Sequence, residues 1–311
     1  MTKSFRYLAP WLIPALFLLS SGSSLAVPEQ MEIAITVDDL PSHGALPSQT
    51  TRTDVALSMI HSLKAKGVPS VYGFMNARRL NTDPETAEVL KLWVDAGFLL
   101  GNHTYAHIDL HQSAAQVFAK DITANEPALE SFMGSRDWHW FRYPFLHEGD
   151  TLEKRRTVRT YLHEHGYRVA QVTLDFQDYA WNDPYARCVA AGDLKAIAWL
   201  TASYLSSAAD CVSLGQKMAN LLYGRDIKHV LLLHIGAFDS VMLPALLDHL
   251  TQQGVHFASL TDAERDSAYQ SDPDMPLSHG ATMLDQLMQA KHMEYPPHTE
   301  RPLEKLNSIC Q

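Results

Sequence analysis

The chain lacks a long uninterrupted apolar run. The N-terminal stretch LAPWLIPALFLL carries Pro10 and Pro14 and falls short of the roughly 20 apolar residues that a membrane-spanning helix needs. Lys3 and Arg6 precede this stretch and small residues ending in SLA follow it, which is the pattern of a secretory signal peptide. We therefore predict cleavage after Ala26, export to the periplasm or the medium, and no stable membrane insertion of the mature protein; a retained N-terminal anchor is the alternative.

Basic residues are few compared with acidic ones. The chain has 25 Lys and Arg against 35 Asp and Glu, a net charge of −10, and removal of a signal peptide that contains only basic charges would make it more negative. Nucleic acids and anionic lipids are bound chiefly through Lys and Arg. The composition therefore argues against both as partners.

Cysteine is also scarce, with only Cys188, Cys211 and Cys310 in the chain. After export these thiols would meet an oxidising compartment. Cys188 and Cys211 could close a disulfide and leave Cys310 unpaired, while other pairings and buried free thiols remain open.

No G-x-S-x-G elbow, P-loop or G-x-G-x-x-G follows a strand, so serine hydrolase and nucleotide-binding functions lack their usual motifs. From residue 31 onward, short β-rich runs such as MEIAITV and HVLLLHI alternate with helical patterns. This alternation predicts an α/β domain with a parallel sheet, either open or closed into a barrel. The periodicity fades after Leu260, so residues 261–311 are predicted to be a strapped or mobile C-terminal tail with one helix at ATMLDQLMQAKHM.

Polar residues recur at the carboxyl ends of the predicted strands. Parallel strands share one carboxyl edge, and α/β enzymes build their active sites there. The residues that we expect to meet at this edge are Asp38, Asp39, His103, His107, Arg142, Asp175, Asp178 and His234.

The spacing of His103 and His107 suggests a metal pair. Histidines four apart project from the same face of a helical turn and can hold one ion. A catalytic zinc site needs three protein ligands, and a carboxylate of the pair Asp38–Asp39 can supply the third.

Five motifs in order resemble those of the polysaccharide deacetylases with the NodB homology domain, over residues 31–260. They are TVDD at 36–39, HTYAH at 103–107, RYPF at 142–145, DFQDY at 175–179 and LLH at 232–234. The resemblance implies a distorted, incomplete (β/α) barrel as the fold. It also implies an enzyme that acts on N-acetylated glycans and uses a divalent metal, most often Zn²⁺.

The resemblance also implies a role for each matched residue. Asp39, His103 and His107 would be the metal ligands, and Asp38 the general base. Arg142 would orient Asp38, and His234 would protonate the leaving amine. A nearby carboxylate would raise the pKa of His234, and we assign that role to Asp175 rather than Asp178. The oxyanion would rest on the metal and on a backbone N–H near Phe145.

Three departures from the family motifs concern the choice of substrate. Leu40 replaces a glycine and could narrow the mouth of the site, while Phe145 and Tyr179 replace a tyrosine and a tryptophan. His43 is interpreted as a structural or substrate-side residue rather than a ligand. Tyr179, Trp181 and Tyr185 could form a stacking platform for a sugar ring or could pack a turn.

The sequence leaves the reaction partly open. We expect removal of acetyl groups from amino sugars, with O-acetyl esters of xylan or a linear non-sugar amide as alternative substrates. A non-catalytic glycan-binding relative with a structural metal is the other alternative, although such a protein would have no use for Asp38, Arg142 or His234.

Overall fold

The fold is taken from a computed structural model that describes residues 1–4, 30–81 and 83–311. Most of the predicted signal peptide lies outside these described residues. Within them, no helix is both long and apolar enough to span a membrane.

Strands and helices alternate along the chain. The strands are β1 (Glu32–Leu40), β2 (Tyr72–Met75), β3 (Leu99–Asn102), β4 (Trp140–Phe141), β5 (Arg168–Val169), β6 (His229–His234) and β7 (His256–Ala258). The helices are α1 (Arg52–Ala65), α2 (Pro84–Asp95), α3 (Ala115–Met133), α4 (Leu152–Glu164), α5 (Asn182–Ala191), α6 (Leu194–Tyr223), α7 (Ala237–Gln252), α8 (Leu260–Ala263), α9 (Met283–Ala290) and α10 (Leu303–Ser308).

Within the described residues, the seven strands form one parallel sheet. The order is β5-β4-β3-β2-β1-β6, and β7 pairs with the beginning of β1. Shortly after β5, at one edge, Leu174 pairs with Leu231 of β6 at the other. The chain therefore connects the two edges, and the sheet curls into the expected distorted, incomplete barrel.

Burial explains why the central strands form where they do. β1 reads as a nearly continuous apolar run because helices cover both faces of a parallel sheet. Ile33, Ile35 and Val37 are all at most 1% exposed. Glycines mark several helix ends; Gly192, with φ of 66°, ends α5 just before α6 begins.

The segment after Leu260 packs onto the barrel, as the strapped alternative has it. Met283, Leu284 and Met288 of α9 are buried against α6. Cys310, near the C-terminus, forms a disulfide with Cys188 of α5. Of the pairings that the sequence left open, the structure therefore has Cys188 with Cys310 and not Cys188 with Cys211; Cys211 is a free, half-buried thiol on α6.

Candidate metal and hydrolase site

The carboxyl edge of the sheet brings together most of the polar residues predicted to meet there. Asp38 and Asp39 lie at the end of β1, His103 and Arg142 directly follow β3 and β4, and His234 ends β6. The register of the sheet pairs Asp38 with His234 on neighbouring strands. The motifs thus converge because each one terminates or follows a strand of the same parallel sheet.

Asp39, His103 and His107 form a possible metal site. The Oδ1 atom of Asp39 lies 3.4 Å from His103 Nε2 and 3.2 Å from His107 Nε2. The other ring nitrogen of His103, Nδ1, lies 2.8 Å from the Arg142 carbonyl, to which only an N–H can donate. In that tautomer Nε2 has no proton and presents a lone pair to Asp39.

The residues of this triad fit a divalent cation. Asp39 Oδ1 is buried and has no hydrogen-bond partner within the described part of the chain. A buried carboxylate oxygen that faces imidazole lone pairs is costly unless a cation lies between them. One carboxylate and two imidazoles are a ligand set that zinc accepts in catalytic sites.

The two histidines lie on a loop rather than on the helical turn that their spacing suggested. Residues 103–107 contain no helix, and Thr104 and His107 adopt positive φ angles of 63° and 54°. Asn102 Oδ1 accepts a hydrogen bond from the Thr104 N–H, and Asp121 Oδ2 accepts one from the Ala106 N–H. This strained, tightly held loop turns both Nε2 atoms toward Asp39.

His43 contacts the triad from outside. Its Nδ1 lies 2.7 Å from Asp39 Oδ2, the carboxylate oxygen that does not face His103 and His107. Burial raises the pKa of Asp39, but the hydrogen bond from His43 and the charge of His234 oppose it, and the pKa lies well below its ordinary value. Asp39 is thus kept as a carboxylate, with His43 orienting it.

Asp38 and Arg142 form a buried ion pair next to the triad. Arg142 Nη1 donates to both oxygens of Asp38 at 3.1 and 3.3 Å, and the two residues are 1–2% exposed. The guanidinium also donates to the Ala170 carbonyl and to Thr36 Oγ1. All three guanidinium nitrogen atoms of Arg142 therefore donate hydrogen bonds, and Asp38 is held in one orientation beside Asp39.

Asp178, and not Asp175, is the carboxylate that contacts His234. Asp178 Oδ1 lies 2.8 Å from His234 Nδ1, and Asp178 Oδ2 accepts the His234 backbone N–H at 2.6 Å. Burial lowers the pKa of His234, but the charge and hydrogen bond of Asp178 outweigh it and raise this pKa to about 10. His234 is therefore an imidazolium at neutral pH, with Nε2 as its free donor.

The predicted role of Asp175 is thus wrong, and the local backbone explains why. Gln177 adopts a left-handed conformation with φ of 59° and starts a 3₁₀ turn at Asp178. The turn points Asp178 inward, whereas Asp175 Oδ1 accepts the Gln177 N–H at 2.7 Å. Burial raises the pKa of Asp175 to about 6.

Two further residues behind His234 carried no recognisable motif in the sequence. Tyr204 on α6 donates a hydrogen bond of 2.7 Å to Asp239 Oδ1 at the start of α7, and both side chains are fully buried. Burial and the charge of Asp178 raise the pKa of Asp239 well above its ordinary value. Asp239 therefore carries a proton, which leaves the negative charge of this group on Asp178.

A cleft of about 610 Å³ opens over these residues and is lined by Tyr179 and Phe145. The ring of Tyr179 is 42% exposed and lies 5.2 Å from the His234 ring. Trp181 is fully buried and Tyr185 packs on Phe238, so only Tyr179 of the predicted platform lines the cleft.

Leu40 does not narrow the cleft as expected, because its side chain is buried in the core. A Cβ atom at Gly73 would lie 2.7 Å from Leu40 Cδ2, so Leu40 fills the space that the glycine leaves on β2. Phe145 does reach the mouth. It is 54% exposed, and its ring lies 4.6 Å from that of His107.

A second histidine–carboxylate cluster supports the loop of Phe145 and was not predicted. His147 Nδ1 lies 2.7 Å from Asp109 Oδ1, and the rings of His147 and His111 stack at 3.8 Å. The cluster ties the loop that follows β4 to the loop that carries His107.

Comparison with known sequences yields a family match and a curated relative. Residues 26–170 match the sequence model of the polysaccharide deacetylase family. A chitin deacetylase from Arthroderma benhamiae is 26% identical over 152 residues, which are 49% of this chain and 36% of that protein. The chain thus spans about a third of the length of this curated relative.

Solved structures with the same fold include a pseudoenzyme of carbohydrate esterase family 4 from Bacillus anthracis. It is 15% identical, with a TM-score of 0.52 over 76% of this chain and 66% of that one. A mutant of this pseudoenzyme with restored enzymatic activity is 16% identical, with a TM-score of 0.52 over 76% and 68% of the two chains. At such identities the likeness concerns the curled parallel sheet alone.

Proposed function

We propose that this chain, whose residues 26–170 match the sequence model of the polysaccharide deacetylase family, is a metal-dependent hydrolase. It would remove N-acetyl groups from amino-sugar polymers or oligomers. One observation carries the proposal: two proton-transfer groups with partners of opposite charge lie beside the metal triad. Asp38 forms a buried ion pair with Arg142, and His234 is held as an imidazolium by Asp178. Amide hydrolysis needs a proton acceptor and a proton donor of this kind.

Asp39, His103 and His107 would hold a divalent cation, with Zn²⁺ as our proposal. When bound, the ion supplies Lewis-acid polarisation of the amide carbonyl and makes water easier to deprotonate. Asp38 takes the proton of the attacking water, while Arg142 holds its carboxylate in one orientation. His234 Nε2 gives its proton to the departing amine nitrogen.

The remaining groups of the site bind and orient the substrate. The backbone N–H of Phe145 would donate to the oxyanion, and the exposed ring of Tyr179 would contact the sugar. Export to an oxidising compartment, as proposed from the N-terminal sequence, agrees with the disulfide between Cys188 and Cys310.

Two substitutions test the proposal. Asp38→Asn and His234→Ala should each retain one bound metal ion per chain and lose acetate release, because neither residue belongs to the triad. Acetate should be measured on chitin oligomers, peptidoglycan fragments and acetylated xylan in parallel, with metal content by mass spectrometry. Wild-type rates of acetate release from both variants would refute the mechanism, and release from xylan alone would favour an esterase.

The pseudoenzyme alternative has a distinct outcome in the same assay. A binding protein with a structural metal would release no acetate from any substrate in its wild-type form, yet would still retain the ion.

A further inference from the structure

The loop that follows β4 contains two residues in a backbone conformation that their side chains disfavour. Phe145 and Leu146 are left-handed, with φ angles of 60° and 53°. Residues other than glycine rarely adopt positive φ, and the strain persists only where surrounding groups fix the backbone. Phe145 lines the catalytic cleft, and within the described part of the chain its N–H has no hydrogen-bond partner. The loop therefore offers a free donor at the cleft but needs support from other segments to keep its shape.

Gly280, in the segment before α9, lies against this strained backbone. A Cβ atom at Gly280 would lie 2.0 Å from the Phe145 carbonyl oxygen and 3.5 Å from a ring carbon of His147. The φ angle of Gly280 is not in the left-handed region, so glycine is required here by space and not by backbone conformation. Any side chain at residue 280 would therefore have to displace the Phe145 carbonyl or the segment itself.

Buried polar contacts tie the far end of the same loop to the C-terminal segment. Glu148 is 4% exposed, and its Oε1 atom accepts a hydrogen bond of 2.8 Å from Gln286 of α9. Arg155 Nη1 lies 3.3 Å from Glu148 Oε2, and Arg155 Nη2 donates to Gln286 Oε1 at 3.2 Å. The Leu277 N–H donates to the Gly149 carbonyl at 2.9 Å. Because a buried charge that loses a partner is costly, the loop cannot move away from this segment freely.

The C-terminal segment is itself fixed to the barrel. The Met283 N–H donates to the Val172 carbonyl at 2.7 Å, and α9 is buried against α6. This segment lies beyond the part of the chain that matches the family, which ends at residue 170. The support for the Phe145 loop is therefore in place before a substrate binds, as electrostatic stabilisation of a transition state requires.

We propose that residues 277–286 hold the Phe145 loop in the conformation that presents its free N–H to the cleft. Gly280 is the positioning residue, because its lack of a side chain lets the segment reach the Phe145 carbonyl. The inference rests on the proposed function, in which this N–H donates to the oxyanion, and deepens it by giving the C-terminal segment a part in the chemical step. An oxyanion donor acts in the transition state, so its displacement lowers kcat and leaves KM unchanged.

Gly280→Ala tests the proposal by adding one methyl group at the contact with Phe145. Acetate release should be measured on the glycan that the wild type hydrolyses fastest. We expect kcat to fall by about tenfold, since removal of a whole oxyanion donor costs about 10²–10³ in kcat and a displaced donor keeps part of its effect. KM and the metal content should stay at wild-type values, because the triad does not take part in this contact.

Gly215→Ala on α6 is the matched control. A Cβ atom at Gly215 would lie 2.2 Å from Leu174 Cδ2, and the φ angle of Gly215 is likewise outside the left-handed region. Gly215 is buried and does not line the cleft. Its substitution should lower the melting temperature and leave kcat unchanged, so it separates crowding as such from displacement of the Phe145 loop.

Amide hydrogen exchange of peptides that cover residues 144–149 reports on the loop without requiring activity. We expect faster exchange there in Gly280→Ala and wild-type exchange in Gly215→Ala. Unchanged kcat in Gly280→Ala, or an equal fall in kcat in both variants, would refute the positioning role and leave the hydrolase standing. If the wild type releases no acetate, the proposed function fails; faster loop exchange in Gly280→Ala alone would still support the contact, and unchanged exchange would overturn it as well.

A second variant covers the case in which Gly280→Ala does not fold. Gln286→Met removes the hydrogen bond to Glu148 with little change in side-chain length, and Gln289→Met, on the exposed face of α9, is its control. A fall in kcat at unchanged KM in Gln286→Met alone supports the positioning role, and equal kcat values in the two variants overturn it.

Discussion

Asp178→Asn should remove the charge that keeps His234 protonated. Asp178 is fully buried and contacts both the ring and the backbone N–H of His234. A pKa of about 10 instead of 6.5 for His234 corresponds to ~5 kcal/mol of stabilisation of its charged form. Breaking a buried pair by removing one partner costs about 3–5 kcal/mol. Since asparagine can still accept the backbone N–H, we expect the free energy of unfolding to fall by about 3 kcal/mol at pH 6.

The sign of the pH dependence follows from the two shifts. The pKa of His234 is raised in the folded state, so its contribution is complete below pH 6.5 and is lost as the pH rises toward about 10. The pKa of Asp178 is lowered in the folded state although burial opposes this. Asp178 therefore adds to the free energy of unfolding at pH values above the ordinary pKa of an aspartate. The difference in unfolding free energy between wild type and Asp178→Asn should therefore be largest near pH 5–6 and shrink toward pH 10.

Urea unfolding followed by tryptophan fluorescence at several pH values measures this difference. A chelator should be present throughout, so that metal binding does not add to the unfolding free energy. Asp175→Asn is the matched control, because Asp175 lies three residues away and does not contact the His234 ring. Burial raises the pKa of Asp175 to about 6, so its replacement should leave stability unchanged or increase it at pH 8. Equal losses in the two variants, or a difference that widens from pH 6.5 to 10, would refute the assignment of Asp178.

Two other measurements test the metal triad and the C-terminal attachment. Zinc at 100 times its Kd should raise the wild-type free energy of unfolding by about 2.7 kcal/mol and leave that of His107→Ala unchanged; equal stabilisation of both would exclude His107 as a ligand. Cys188 and Cys310 are 122 residues apart, so Cys310→Ser should cost about 4–5 kcal/mol by the loop-entropy relation, as should reduction of the wild type. Cys211→Ser should retain the sensitivity of the melting temperature to reductant, and loss of that sensitivity would contradict the pairing.

The sequence predicts the site well wherever a motif is tied to the end of a strand. Asp38, Asp39, His103, Arg142 and His234 end or directly follow strands of one parallel sheet. Their convergence follows from topology alone, because all parallel strands present their carboxyl ends at one edge.

Prediction failed where a turn, rather than a strand, sets the direction of a side chain. Asp175 and Asp178 lie three residues apart, and the left-handed Gln177 between them decides which one faces His234. A non-glycine residue with positive φ is uncommon and has no clear sequence signal. The loop of His103 and His107 shows the same effect, since the expected helical turn is replaced by left-handed residues.

Contacts between segments that are far apart in the sequence could not be predicted from local patterns either. The partner of Cys188 is Cys310 rather than the nearer Cys211, because α10 is held beside α5, where Arg187 donates to the Leu306 and Ile309 carbonyls. The fading periodicity after Leu260 suggested a tail, since short helices joined by proline-rich loops give no regular pattern. Packing of α9 against α6, and not local propensity, fixes this segment.

The two sides of the proposed reaction are built by different parts of the chain. The metal triad, Asp38 and Arg142 all fall within residues 26–170, the part that matches the family. The proton donor and the residues that tune it, His234, Asp178 and Asp239, lie beyond that match, on segments held by α6 and α7. A chain could therefore keep the triad and bind metal while losing the donor, so metal binding alone does not distinguish a hydrolase from a pseudoenzyme. The proposed proton donor His234 would distinguish them, because the departing amine requires a proton.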